Sequence, residues 1–130
     1  MTPDPLVAAA TAAREKAFAP YSHFRVGAAL EAADGAVYTG CNVESASYGL
    51  TLCAERVALA KAVSDGHTRF VRVAVVTDVP TLTPPCGACR QLLWEFAPTA
   101  DVILANLAGN VAHYKMADLL PFAFDASQLR

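Results

Sequence analysis

No run in the sequence approaches the roughly 18 consecutive apolar residues that a membrane-spanning helix needs, and the apolar stretch Leu6–Ala10 is soon broken. A secretory leader is not expected either: the chain opens Met1-Thr2-Pro3-Asp4-Pro5, with an acid where lysine or arginine would precede an apolar segment. Positive charge is not in excess. Ten Lys and Arg face 12 Asp and Glu, for a formal charge of −2, with no basic stripe, which is a poor match for the phosphate backbone of a nucleic acid. Internal repeats, low-complexity tracts and Gly/Ser linkers are missing too, so residues 1–130 are read as a single domain. A chain of that length buries a core without disulfides, which frees its four cysteines for other work.

What the sequence does have is apolar residues. They make up 55% of the chain against 17% charged, and 27 of the 130 are alanine. A small sphere cannot hide so much apolar side chain, and part of it is expected to face another subunit. Asp4-Pro5 has the form of an N-cap with proline at the first helical position. Leu6, Ala9, Ala10, Ala13 and Ala17 then recur at helical spacing, with the helix stopping before Pro20. From Phe24 the period is two, and a turn at Asp34-Gly35 leads to a second alternation through Val37, Thr39, Cys41 and Val43, predicting a hairpin. Leu52 to Ser64 returns to the helical period, with Leu52, Leu59 and Val63 inward and Asp65-Gly66 as its end. Phe70–Val76 is nearly all apolar, as a central strand should be. A helix from about Cys86 to before Pro98 and a strand at Asp101–Asn106 follow. The order predicts a three-layer α/β/α sandwich with a mixed sheet, its later strands parallel through right-handed crossovers.

The chemistry lies in Cys53-Ala54-Glu55 and Pro85-Cys86-Gly87-Ala88-Cys89-Arg90, each at the expected start of a helix. A Cys-x-x-Cys pair there sets two sulfurs about one turn apart, both within reach of one ion at ~2.3 Å. The positive end of the helix favours the thiolates that bind metal. Helix starts brought together by adjacent parallel strands would supply Cys53, Cys86 and Cys89 and leave a fourth position open, which separates a catalytic zinc site from a structural one. Glu55 can face the same ion only if Cys53 sits in the irregular first turn. Bland alternatives exist for each residue: a redox Cys-x-x-Cys, a structural four-cysteine site drawing in Cys41, a solvated acid at Glu55. Neither cysteine alternative explains Glu55, and Cys41, in an alternating strand, reads as a buried free thiol. His23, His67 and His113 show no ligand spacing.

The two clusters resemble the zinc-dependent cytidine deaminases, in which cysteines and a glutamate serve together. The likeness extends to Ala19-Pro20-Tyr21-Ser22 with Phe24–Ala29, to Gly40–Glu44, and to Leu119–Phe124, so it covers essentially the whole chain. It is to the short, three-cysteine, homotetrameric branch, with Ser45 standing where asparagine is expected. The resemblance implies a five-stranded mixed sheet and one zinc per subunit on Cys53, Cys86 and Cys89. It implies that Glu55 shuttles protons, and that Asn42 and Glu44 bind the ribose hydroxyls. Phe24 would pack on the pyrimidine and the Ala54 N–H would donate to its 2-keto oxygen. Tyr48 and Phe124 would lie where subunits share an active site. For Asn42 and Glu44 the plain alternative is turn chemistry; for the two phenylalanines it is core packing. Three thiolates leave zinc a net −1, so Arg56 in particular, with Arg90 beside it, is expected to offset that charge, Arg56 by hydrogen-bonding ligand sulfurs. The implied activity is cytoplasmic hydrolysis of cytidine, and of 2'-deoxycytidine, with neither nucleic acid nor membrane as partner. The rivals are a sibling deaminase of aminonucleoside antibiotics, a polynucleotide deaminase lacking its usual stacking run, and a non-enzymatic zinc module.

Overall fold

In the computed structural model, which describes residues 4–129, the first helix is capped as its sequence predicts. Asp4 Oδ1 accepts the Leu6 N–H at 2.8 Å, and Pro5 opens α1 (Pro5–Arg14). The helix ends before Ala17, which the spacing had included. There the chain turns away to pair: Phe18 N–H donates to Asn42 O at 3.0 Å, and Glu44 N–H to Phe18 O at 2.9 Å. Tertiary pairing overrides helical spacing at this point.

The hairpin forms as β1 (Gly27–Ala32) and β2 (Val37–Cys41), turning at Gly35 with φ +92°. Both strands are shorter than the alternation predicts. Phe24 precedes β1 because the Asn42 side chain clamps the backbone there, and Val43 leaves β2 to bridge Phe18 and Leu52. Helix α2 (Ala54–Ser64) has Cys53 as its N-cap. Leu52 therefore lies outside the helix, and it is exposed, not inward. Strand β3 (Phe70–Thr77), helix α3 (Gly87–Phe96, N-cap Cys86) and β4 (Asp101–Asn106) fall where expected. Strand β5 (Val111–Lys115) and the single-turn α4 (Met116–Leu119) complete the structure, with 3-10 turns at Tyr48–Leu50 and Ala126–Leu129.

The sheet is mixed and five-stranded, in the order β2-β1-β3-β4-β5. Only the β3–β4 pair is parallel; β5 returns antiparallel to β4. Leu30, Val73 and Val75 point toward α2 and α3, where Leu59, Leu93 and Met116 complete one core. Ala29, Ala74, Val76 and Ile103 point the other way, onto Leu6, Val7 and Ala10 of α1. Each buried Leu or Val contributes about 1.5–3 kcal/mol, and the alanines let the helices approach closely. A Cβ on Gly27 would stand 1.9 Å from Ala10 O, and one on Gly40 would stand 2.5 Å from Ala54 O, so at these positions the helices rest on bare backbone.

Strand β1 is antiparallel to both β2 and β3. Those two therefore run the same way and end on the same side, and the helices after them, α2 and α3, begin there. This corrects one expectation: the two helix starts follow parallel strands that are not adjacent, since β1 lies between them.

Candidate metal centre and substrate cleft

Cys53 and Cys86 both have extended backbones as N-caps, with ψ of 153° and 166°, and neither caps its helix through the side chain. Their sulfurs are free to point elsewhere. Together with Cys89 in the first turn of α3 they form a cluster whose Sγ atoms all lie within 4.8 Å of one another. Three sulfurs around one tetrahedral ion stand about 3.8 Å apart, so the donor set and spacing fit zinc. Cys41 is not in the cluster; it is half-buried on β2.

The N-termini of α2 and α3 both face the cluster and favour negative charge there. The Cys53 thiol is pulled down to about 6 by hydrogen bonding with Cys89 and then Cys86, with Arg56 adding its charge, against the opposing effect of burial. Cys89, fully buried, is pushed upward by the same contact and by burial. Glu55, in the first turn of α2, is 5% exposed, and burial, with the Cys53 charge beside it, raises its carboxyl to about 7. The charged guanidinium of Arg56 is favoured by the Cys89 sulfur, with Cys53 and Cys86, which raises its pKa further. Its Nε is the one buried side-chain polar atom without a partner among the described residues, an orphan donor beside the sulfurs. Arg90, whose charge also falls next to a ligand cysteine in sequence, donates to the backbone carbonyls of Pro85 and Leu119.

Beside the cluster, at the end of β2, Asn42 is buried. Its Oδ1 accepts the Val26 N–H at 2.9 Å and its Nδ2 donates to Phe24 O at 2.7 Å, which leaves one N–H and one lone pair uncommitted. Glu44 accepts the N–H groups of Tyr21 and Ser22 at 3.0 and 3.1 Å and also the Ser22 hydroxyl. That hydroxyl contact, with the two N–H bonds, holds its carboxyl below the usual range. Glu44, Tyr21, Ser22, Ser45, Tyr48 and Thr51 line a pocket of about 350 Å³. Tyr21 and Tyr48 meet edge to face at 6.5 Å on its rim. Thr51 Oγ1 accepts the Ser45 N–H at 3.1 Å, so the loop is locally tied despite the departure at that position. The Ala54 N–H opens α2 and has no acceptor within the helix. Phe24 is 37% exposed and Phe124 56% exposed, so neither ring is a core residue. Phe124 is anchored through its backbone by Gln91 Nε2 at 2.6 Å and does not line this pocket. A roomier hollow of about 550 Å³ beside Tyr38, Lys61 and Asp65 holds neither sulfur nor buried acid, so size does not locate the chemistry.

Sequence reasoning missed Tyr21 and Ser22 as the partners of Glu44. Nothing local relates residues more than twenty positions apart; only their place in the Ala19–Ser22 motif flagged them.

Among the described residues, a cluster of three cysteines at paired helix starts, with a buried carboxyl in the first turn of one of those helices, on this α/β/α frame, defines a zinc-dependent deaminase. Residues 3–106 match the profile of the family described as the cytidine and deoxycytidylate deaminase zinc-binding region. The chain is 50% identical over 125 residues to the cytidine deaminase of Halalkalibacterium halodurans, covering 95% of each, and 48% identical over 130 residues to that of Sporosarcina psychrophila, covering 99% of this chain and 96% of the other. Its fold superposes on the crystal structure of cytidine deaminase from Burkholderia pseudomallei with a TM-score of 0.90 and 53% identity, covering 95% of this chain and all of that one. The chain belongs to the cytidine deaminase family, and its cofactor is zinc.

Proposed function

We propose that this protein hydrolyses cytidine, and 2'-deoxycytidine, to the uridine nucleoside and ammonia. The observation that carries the reading is the convergence of the Cys53, Cys86 and Cys89 sulfurs within 4.8 Å of one another beside the buried Glu55. Those three residues hold the zinc, which when bound supplies the Lewis acidity that makes water a nucleophile near neutral pH. Everything else falls to the chain. Glu55, held near 7 by burial, sits where a group must both take and give protons. It accepts a proton from the water attacking C4 and passes it to N3. It then carries the second to the amine, so that the C4–N bond breaks, the water oxygen becomes the 4-keto oxygen and ammonia leaves. Arg56 donates to the sulfurs and tempers their charge. The Ala54 N–H, at the positive end of α2, receives the 2-keto oxygen. Asn42 and Glu44 receive the ribose hydroxyls, and Phe24 packs on the base.

The active unit is a homotetramer in which aromatic residues complete a neighbour's site. Supporting this are Tyr48 at 78% exposure, Leu50 at 72% and Phe124 at 56%, apolar side chains with nothing to cover them in one chain. One sheet with a core on each face supports a single domain over 1–130. A small neutral nucleoside suits a chain of net charge −2 better than a polynucleotide does. No helix among the described residues is long and apolar enough to cross a membrane. The setting proposed is cytoplasmic pyrimidine salvage. The test is ultraviolet loss of cytidine, run against an aminonucleoside antibiotic, with zinc content and light-scattering mass measured on the same sample. A zinc-loaded protein that ignores cytidine would overturn the reading.

A further inference from the structure

The three ligand cysteines are not equally supported. Cys53 caps α2, whose backbone rests against Gly40 of β2, and Cys89, in the first turn of α3, is enclosed at zero exposure. Cys86 is exposed, and it ends an arm, residues 78–86, that has no helix or strand of its own. Pro84 and Pro85 bring no N–H to that arm, so it cannot be held by ordinary backbone pairing. Pro85 is nevertheless fully buried, and its carbonyl needs a donor.

Arg90 supplies it. From the first turn of α3, its Nε donates to Pro85 O at 2.7 Å while Nη1 donates to Leu119 O at 2.9 Å. Its own N–H donates to Cys86 O at 2.9 Å. The peptide immediately before the ligand is therefore fixed, by one planar fork, against the last residue of α4. Other restraints on the arm lie further back: Arg14 Nη2 stands 4.0 Å from Asp78, Asn106 Nδ2 reaches Val79 O at 3.0 Å, the Thr77 and Thr83 hydroxyls stand 3.4 Å apart, and Leu82 packs on the core. We infer that Arg90 is the positioning residue for Cys86, holding the third sulfur in ligand range by its two-carbonyl bracket and not by its charge. Metal–sulfur distances tolerate only about 0.2 Å, so an unbracketed Cys86 leaves two sulfurs where three are needed. Lysine is no substitute, because a point charge on a flexible stem cannot span two carbonyls as the guanidinium does.

The inference rests on the zinc reading above, and the experiment separates the two. Wild type, Arg90→Lys and Arg90→Met are compared for zinc content, for the rate of zinc release to a chromogenic chelator, and, after cobalt substitution, for the intensity of the sulfur-to-cobalt charge-transfer band. Both variants should release zinc faster by on the order of tenfold or more. Both should show a weaker band, as for two sulfurs in place of three, and a lower kcat with KM for cytidine little changed. Zinc-free Arg90→Lys should stay folded and melt only a few degrees below zinc-free wild type, as the loss of the carbonyl bonds requires. A lysine variant with the wild-type release rate and band would show that charge suffices and would overturn the inference. So would a lysine variant that fails to fold, since Arg90 would then be a general brace. Wild type that binds no zinc would instead overturn the reading beneath it.

Discussion

The two ends of the sheet each carry a cluster of ionisable groups, and they are built on opposite terms. At the far end, where β1 turns into β2 and α2 stops, Tyr38 Oη donates to Asp65 and stands 2.8 Å from His67 Nδ1, while His67 Nε2 stands 3.0 Å from Asp34. Asp34 also accepts the Ala36 N–H at 3.0 Å, and the Tyr38 and His67 rings lie 5.1 Å apart. Every member of that cluster has a partner. At the cysteine end, Arg56 Nε has none, Glu55 is buried with its carboxyl raised to about 7, and three sulfurs converge within 4.8 Å of one another. Satisfied networks hold a fold together, whereas groups kept in poor solvation and incomplete bonding are ready to act on something else. The contrast separates function from structure here better than cavity size or the presence of a histidine does.

The harshest trial of that contrast is Glu55→Gln against His67→Ala. The glutamine cannot move protons but keeps the shape, so turnover of cytidine should fall by up to ~10⁴-fold with zinc retained. His67→Ala should leave kcat/KM essentially as in wild type while lowering Tm. A fully active Glu55→Gln protein would end the proposed mechanism.

A second trial uses the two close-packed glycines. A Cβ on Gly40 would meet Ala54 O and Ala58 N, each at 2.5 Å, and must push α2 with its Cys53 and Glu55. One on Gly27 would meet Ala10 O at 1.9 Å and push α1, which carries no proposed site residue. Overpacking of either kind costs about 1–3 kcal/mol. Only Gly40→Ala should also lower the zinc content of the folded protein, which metal analysis after purification will show.

The residues visible in the sequence are those whose signal is local. The Asp4-Pro5 cap, the Asp34-Gly35 turn, the apolar β3 and both cysteine groups were legible because each is read within a few positions. What stayed hidden depends on pairs far apart in the chain. Phe24 alternates like a strand residue, yet Asn42, 18 positions on, takes its carbonyl and delays β1 to Gly27. Helical spacing runs past Arg14, but pairing of Phe18 with Asn42 and Glu44 ends α1 there. Arg90 reads as a countercharge by its place after Cys89, and only the fold reveals that its acceptors are the carbonyls of Pro85 and Leu119. Strand β5 is short and mostly exposed, and its weak pattern gave no individual signal.

Within the cysteine end, Glu44→Gln separates recognition from chemistry. The variant keeps the shape of the pocket but loses the charge that Ser22 and the Tyr21 N–H now bind. KM for cytidine should rise about tenfold or more with kcat less affected. The base cytosine, which has no ribose, should be handled equally poorly by both proteins. An equal loss on cytosine and cytidine would take Glu44 out of ribose binding.

The smallest effect belongs to the far end, and it is a matter of pH. The hydrogen bond from Tyr38 to Asp65, aided by burial and by the nearby carboxylate charges, raises the phenol from 10.0 to about 12. A folded-state value above the unfolded one favours the protonated phenol, so the stability it contributes is whole below pH 10 and lost as the pH climbs from 10 toward 12. Tyr38→Phe removes that dependence together with the bond. Its Tm should lie a few degrees below wild type at neutral pH, on the order expected for one hydrogen bond, and the two melting curves should converge as the solution is made alkaline. Cytidine turnover near neutrality should not distinguish them. If instead the gap widened with pH, Tyr38 would not be acting as a donor to Asp65; if turnover fell with Tm, the two ends of the sheet would be coupled and the division drawn between them would fail.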